Sequence, residues 1–158
     1  MIVATQVEVG LRLPPMELTV TARTVIMGAS ASRDWQPQHH DRDWAVQRAG
    51  TRDIFLNTPT QAGWIERYLT DWTGPRGRLG RMFFRMRRPI CPGDTVAFEG
   101  TVSGVKADPE GCLWVTVDVR LLVDGDAATE STVRMAIPKD DADNPWARRE
   151  SAWDPWSA

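Results

Sequence analysis

Apolar residues recur along this chain at two different periods, and the changes of period mark out its elements. From Met16 to Met27 the pattern alternates, with Met16, Leu18, Val20, Ala22 and Ile26 on one face and Thr19, Thr21 and Arg23 on the other. This predicts a half-buried strand. A short polar helix is expected near Asp41 to Arg48, closed by Gly50. The best-marked helix starts at Thr58-Pro59-Thr60-Gln61, with Thr58 as N-cap, Pro59 at the first helical position and Gln61 completing a capping box. Ala62, Ile65, Leu69 and Trp72 then recur at three- and four-residue steps and face a core, and Gly74-Pro75 stops the helix. Gly63 within it carries a cost unless something packs close to it.

Alternation returns after the helix. Val96, Phe98 and Val102 share a face within the run Asp94 to Val105, which the turn Pro92-Gly93-Asp94 introduces. Leu113, Val115, Val117, Val119, Leu121 and Val123 alternate most cleanly, and Val133, Met135 and Ile137 stay in phase within Ala127 to Ile137. Asp108-Pro109-Glu110-Gly111 and Asp124-Gly125-Asp126 read as hairpin turns between them. One well-capped helix and a meander of antiparallel strands predict an α+β domain with the sheet curled around the helix.

The length of 158 residues suits a single domain over residues 1–138, followed by a polar, Trp-containing tail over 139–158. The tail holds Asn144-Pro145-Trp146 and Asp154-Pro155-Trp156. It is read either as disordered or as docking its tryptophans on a partner or on the chain's own surface. A formal charge of −2 gives no support to nucleic-acid binding. No apolar run approaches the roughly 20 residues needed to span a bilayer, and the first ten residues lack the positive region of a secretory signal. The two cysteines, Cys91 and Cys112, have neither metal-type nor redox spacing, so a cytoplasmic location is expected.

The candidate chemistry lies in Asp34-Trp35-Gln36-Pro37-Gln38-His39-His40-Asp41. Asp34 and His39 flank Pro37, too far apart along a strand to meet, but a proline-containing loop folds them toward one small volume. A carboxylate and an imidazole there hold different protonation states, so they can take a proton from water and return one to carbon. The plainer alternative makes Asp34 a loop or cap residue and the histidines a solvated pair. A metal site from His39, His40 and Asp41 is disfavoured, because adjacent histidines rarely point at one ion, and no metal is expected.

This loop resembles that of the MaoC-type hot-dog hydratases and dehydratases, whose pattern is Asp, any residue, Asn, Pro, an aliphatic residue, His, any residue, Asp. Asp34, Pro37, His39 and Asp41 match it, while Gln36 replaces Asn and Gln38 the aliphatic residue. The run Arg88 to Val96 resembles the family's approach to its sheet, and the resemblance covers about Leu18 to Ile137. Four stretches are similar to the small subunits of actinobacterial hydratases acting on steroid side-chain enoyl-CoA thioesters. They are Arg33-Asp34-Trp35-Gln36, His39-His40-Asp41-Arg42-Asp43, Asp53-Ile54-Phe55-Leu56-Asn57 and Arg67-Tyr68-Leu69-Thr70-Asp71-Trp72-Thr73-Gly74-Pro75.

The resemblance implies a hot-dog fold, a coenzyme A thioester substrate with a bulky acyl group, and pairing with a second hot-dog chain, as a hetero-oligomer with a MaoC-like partner or as a homodimer. It implies reversible addition of water to a trans-2-enoyl-CoA by Asp34 and His39, with no cofactor beyond the coenzyme A of the substrate. The family usually has His-Gly before the long helix, where this chain has Asn57-Thr58. The Thr58 backbone N–H is the expected oxyanion donor, and Asn57 either orients the thioester or caps the turn. Arg76, Arg78 and Arg85 are candidates for the phosphates of coenzyme A, the alternative for each being a solvated strand face. Three rival readings stay open: a hot-dog acyl-CoA thioesterase, a non-catalytic subunit that shapes a partner's site, and a dehydratase working on carrier-bound substrates in polyketide or fatty-acid synthesis.

Overall fold

The computed structural model describes residues 2–109 and 111–156, so Met1, Glu110 of the expected 108–111 turn and the last two tail residues lie outside it. Five strands form one antiparallel sheet in the order β1-β3-β4-β5-β2. They are β1 (Met16–Thr19), β2 (Arg78–Met86), β3 (Thr95–Ala107), β4 (Leu113–Val123) and β5 (Asp126–Ile137). Helix α1 (Ala22–Ala31) follows β1. The segment α2 (Arg42–Trp44) runs on into a wider turn over Ala45–Ala49, and α3 (Thr58–Thr73) is the long helix. The sheet's inner face, from Val96, Phe98 and Val102 through Val117 and Val119 to Val133 and Met135, forms one buried cluster with Ile65, Tyr68 and Leu69 of α3. Tyr68 and Phe98 meet with ring centroids 5.5 Å apart. Among the described residues, no helix is long and apolar enough to cross a membrane.

Three features depart from the pattern read along the chain. The alternation from Met16 to Met27 is a strand only as far as Thr19. Thr21 accepts from the Thr24 N–H at 3.1 Å and so starts a helix instead. That helix buries Val25 and Ala29, one turn apart, and leaves Ile26 40% exposed. The second departure is β2, a fifth strand within the arginine-rich segment. Its half-exposed sequence and a register shift between Leu79 and Arg81 break the alternation that would have marked it.

The third is the start of α3. Asn57, not Thr58, is its N-cap, accepting from the Thr60 N–H at 3.2 Å, and Gln61 turns inward rather than closing a capping box. The helix ends as expected, with Gly74 at φ 77°. Nothing lies within contact distance of the Cβ that Gly63 lacks.

The tail lies against the sheet's outer face. Trp153 packs on Trp114 at 4.9 Å between ring centroids, and the Arg78 guanidinium lies 3.5 Å over the Trp153 ring. Pro155 rests beside Gly80, where a Cβ would come within 2.9 Å of it and within 2.7 Å of Trp114. Glycine at this bulge therefore admits both rings.

Candidate functional site

Two successive turns bring the acid and the histidine together. Helix α1 closes with the Ser32 hydroxyl donating to the Gly28 carbonyl at 2.8 Å and the Asp34 N–H to the Ala29 carbonyl at 2.9 Å. Arg33 takes a left-handed backbone (φ 55°) to make that closure. The chain then winds through a single tight turn, Pro37–His39, in which the His39 N–H donates to the Gln36 carbonyl at 3.1 Å. His39 Nε2 ends 3.4 Å from Asp34 Oδ2. The imidazole is buried, 5% exposed, whereas the Asp34 carboxylate remains 24% exposed, so the pair opens to solvent on the acid's side.

The segment 54–57 holds both members from behind. His39 Nδ1 lies 2.7 Å from the Phe55 carbonyl oxygen. A carbonyl only accepts, so Nδ1 carries the proton, and in the neutral ring Nε2 presents its lone pair toward Asp34. The Phe55 ring meets the imidazole edge-on at 5.1 Å. Asn57, 2% exposed, donates its amide to Asp34 Oδ2 at 3.0 Å and to Ser32 Oγ at 2.8 Å. Its oxygen accepts from the Thr60 N–H and, at 2.5 Å, from the Thr60 hydroxyl. One side chain thus caps α3 and orients the acid. Gly28 lets α1 approach Thr60 closely, since a Cβ there would overlap the Thr60 hydroxyl.

The first turn of α3 begins next to Asn57, which holds Asp34. Pro59 has no N–H, the Thr60 N–H is capped by Asn57, and the Gln61 N–H goes to the Asn57 carbonyl at 3.3 Å. The Thr58 N–H is the remaining first-turn donor, and no carbonyl of the helix can reach it.

Asp41 accepts from the Trp44 N–H at 3.0 Å and caps α2, and His40 is exposed. The arginines scatter. Arg76 donates to the carbonyls of Asp141 and Asp143, and Arg78 to those of Pro145 and Arg148 at 3.1 Å, so both bind the tail. Arg85 stays exposed on β2 at the rim of an open hollow of about 340 Å³, beside Arg87, Asp118, Arg120 and Glu130. The supports at Ser32, Phe55 and Thr60 were not marked by the sequence. Ser32 and Thr60 stand in the right segments, but a backbone carbonyl has no residue-type signal.

No family model matches the chain. It is 38% identical over 129 residues to the 3-oxo-4,17-pregnadiene-20-carboxyl-CoA hydratase beta subunit of Mycobacterium tuberculosis, covering 82% of this chain and 95% of that one. The crystal structure of the ChsH1–ChsH2 complex from Mycobacterium tuberculosis matches with a TM-score of 0.76 and 35% identity, over 82% of this chain and 98% of that chain. The MaoC-like dehydratase from Rhodospirillum rubrum matches with a TM-score of 0.78 and 20% identity, over 89% and 99% of the two chains, and shows the shared fold. Together with the loop that carries Asp34 and His39, these likenesses agree with the resemblance read from the sequence: the chain belongs to the MaoC-like hot-dog family of hydratases and dehydratases, together with the beta subunit of the mycobacterial pregnadiene-carboxyl-CoA hydratase.

Proposed function

We propose that the chain is an enoyl-CoA hydratase that adds water reversibly to a trans-2-enoyl-CoA thioester through Asp34 and His39. The observation that carries this reading is the 3.4 Å approach of Nε2 and Oδ2, with His39 held in one tautomer by the Phe55 carbonyl and Asp34 held by Asn57. A water bound between the two donates one hydrogen to the Asp34 carboxylate and the other to Nε2. Nε2 takes its proton as the oxygen bonds to the β carbon and the conjugated double bond shifts to an enolate. The Thr58 N–H, at the positive end of α3, receives the enolate oxygen. Asn57 keeps the acid turned to the water and so orients the addition. The proton on the imidazolium passes to the α carbon, so a single water supplies both the hydroxyl and the hydrogen, and no other reactant is needed.

A bulky, steroid-like acyl group is the favoured substrate, by likeness to the hydratase beta subunit named above. A second hot-dog chain, MaoC-like or an identical copy, completes the site. Supporting this, β2 is an edge strand that bears the exposed Phe83 and Met86, and Met86 lies against the Thr58 hydroxyl at the start of α3. Of the three arginines proposed for the coenzyme A phosphates, Arg85 is the best placed, because the tail engages the other two.

The test is hydration of enoyl-CoA thioesters, from a short linear acyl chain to a steroid side chain, by the assembled protein and by its Asp34→Asn variant. A loss of about 10²–10⁴-fold in kcat for the variant is expected. Full activity in the Asp34→Asn assembly would mean that the partner holds the working site, and release of free thiol would replace hydration with thioester hydrolysis.

A further inference from the structure

Gln61 is 1% exposed and Thr129 of β5 is fully buried, and neither takes part in the chemistry proposed above. Their side chains meet at 2.6 Å between Thr129 Oγ1 and Gln61 Oε1. Gln61 Nε2 lies 3.3 Å from the Leu56 carbonyl and 3.4 Å from the Met86 sulfur. A carbonyl can only accept, so the amide nitrogen must face Leu56, and the oxygen must take the hydrogen of the Thr129 hydroxyl. The side chain therefore has one orientation, set from the sheet.

What it grips is the residue between the dyad's two supports. On the N-terminal side of Leu56, the Phe55 carbonyl receives His39 Nδ1, and the Leu56 N–H donates to the Ile90 carbonyl at 2.9 Å. On the C-terminal side, the Leu56 carbonyl goes to Gln61, and the next residue, Asn57, turns its amide to Asp34. A rotation of the 56–57 peptide moves Asn57 away from the acid, and a slide of the segment lengthens the bond to the histidine. We infer that Gln61, oriented by Thr129, is a positioning residue that fixes the separation of His39 and Asp34 by clamping the Leu56 carbonyl. This rests on the reading of Asp34 and His39 as the hydrating pair. Gln61 touches no reacting atom and acts through the backbone, on a distance for which a displacement of about 1 Å can cost 10²-fold in rate.

The experiment compares Gln61→Leu, Thr129→Val and the conservative Thr129→Ser in the full chain assembled with its hot-dog partner, by steady-state hydration and by ¹⁵N NMR of labelled histidine. The chain has only two histidines, so the ring signals of His39 are separable from those of His40. Gln61→Leu and Thr129→Val should lower kcat about tenfold or more with KM within about twofold. His39 should lose its single Nδ1–H tautomer signature in both, and Thr129→Ser should restore kcat and spectrum together. A kcat within about twofold of wild type with unchanged His39 signals, whatever the loss of thermal stability, would overturn the clamp and leave Gln61 a packing residue. If Gln61→Leu does not fold, the Thr129 pair decides. Should the wild-type assembly hydrate no thioester, the hydratase reading fails on its own, and the His39 spectrum still decides whether the clamp exists.

Discussion

Asn57→Ala removes four polar contacts of one buried side chain, and its cost can be worked from them. The amide loses its bonds to Asp34 Oδ2 at 3.0 Å and Ser32 Oγ at 2.8 Å, and the Thr60 N–H loses its cap at 3.2 Å. Loss of an N-cap costs about 1 kcal/mol. A hydrogen bond to a charged acceptor contributes about 1.5–3 kcal/mol, and the lower end applies because Asp34 is 24% exposed and water replaces part of the donor. The cap and the bond to Asp34 alone, about 2.5 kcal/mol with the contacts to Ser32 and the Thr60 hydroxyl left aside, lower Tm by roughly 5–10 °C in a chain of this size. On the proposed role of Asp34 in holding the attacking water, its release from Asn57 should lower kcat about 10²-fold. Scanning calorimetry and loss of the conjugated thioester's absorbance read the two effects. An unchanged Tm would refute the contacts, and a lowered Tm with full activity would reduce Asn57 to a cap.

Asn57→Asp separates the two duties. Aspartate caps a helix as well as asparagine does, and its charge suits the positive end of α3. If capping were the whole role, the variant would be at least as stable as wild type. Here, however, a second carboxylate would face Asp34 where the amide donated, and two such groups are accommodated only with a shared proton. The introduced carboxyl is thereby raised above its unfolded value of about 3.9. The variant's deficit should vanish below roughly pH 4 and grow as pH rises through the raised value. A Tm gap from wild type that is wider at pH 8 than at pH 5 is expected, and the reverse trend would refute the arrangement.

Trp153→Ala removes the stack on Trp114 and the cation–π contact with Arg78, about 2 kcal/mol together, so Tm should fall by roughly 4–8 °C and proteolysis should begin within the tail. An unchanged digestion pattern would mean that the tail is not held by this ring. Burial pushes the Cys112 thiol up from 9.0 to about 11 and also raises Cys91, so neither should react with a disulfide reagent at pH 8 until the chain is unfolded. The same burial makes the neutral thiol's contribution to stability complete below about pH 9 and lost toward pH 11, which alkaline unfolding of Cys112→Ala against wild type would detect.

Long regular segments were legible because one period governs each. Alternation located β4 and β5, and the stripe through Ile65 and Leu69 located α3. Ambiguity arose where two signals shared a residue. Val20 fits both a continued strand and the approach to a helix, and only the Thr21–Thr24 reciprocity separates them. Asn57 and Thr58 are both competent caps, and proline is tolerated at either of the first two helical positions, so the true cap was decided by contacts with Asp34 and Ser32 that no local pattern encodes. The edge strand β2 hid behind its bulge at Gly80. The ring-on-ring docking of the tail depends on Trp114, which faces outward from β4 and is nevertheless buried.

The site divides along the same line. Asp34 and His39 were readable because their meeting is local, five residues apart around one proline. What aims them is not local. The partner of Nδ1 is the carbonyl of a residue 16 positions on, which any amino acid at position 55 would provide, and the donor to Oδ2 comes from 23 positions on. The crossing of α1 and α3 that makes the second contact possible is recorded only as a missing Cβ at Gly28, opposite Thr60. The pair's identity is therefore written in side chains, whereas its geometry is written in backbone carbonyls and in the space left by a glycine. Variants that spare the dyad but disturb the 54–57 segment should consequently resemble dyad variants in rate while differing from them in stability.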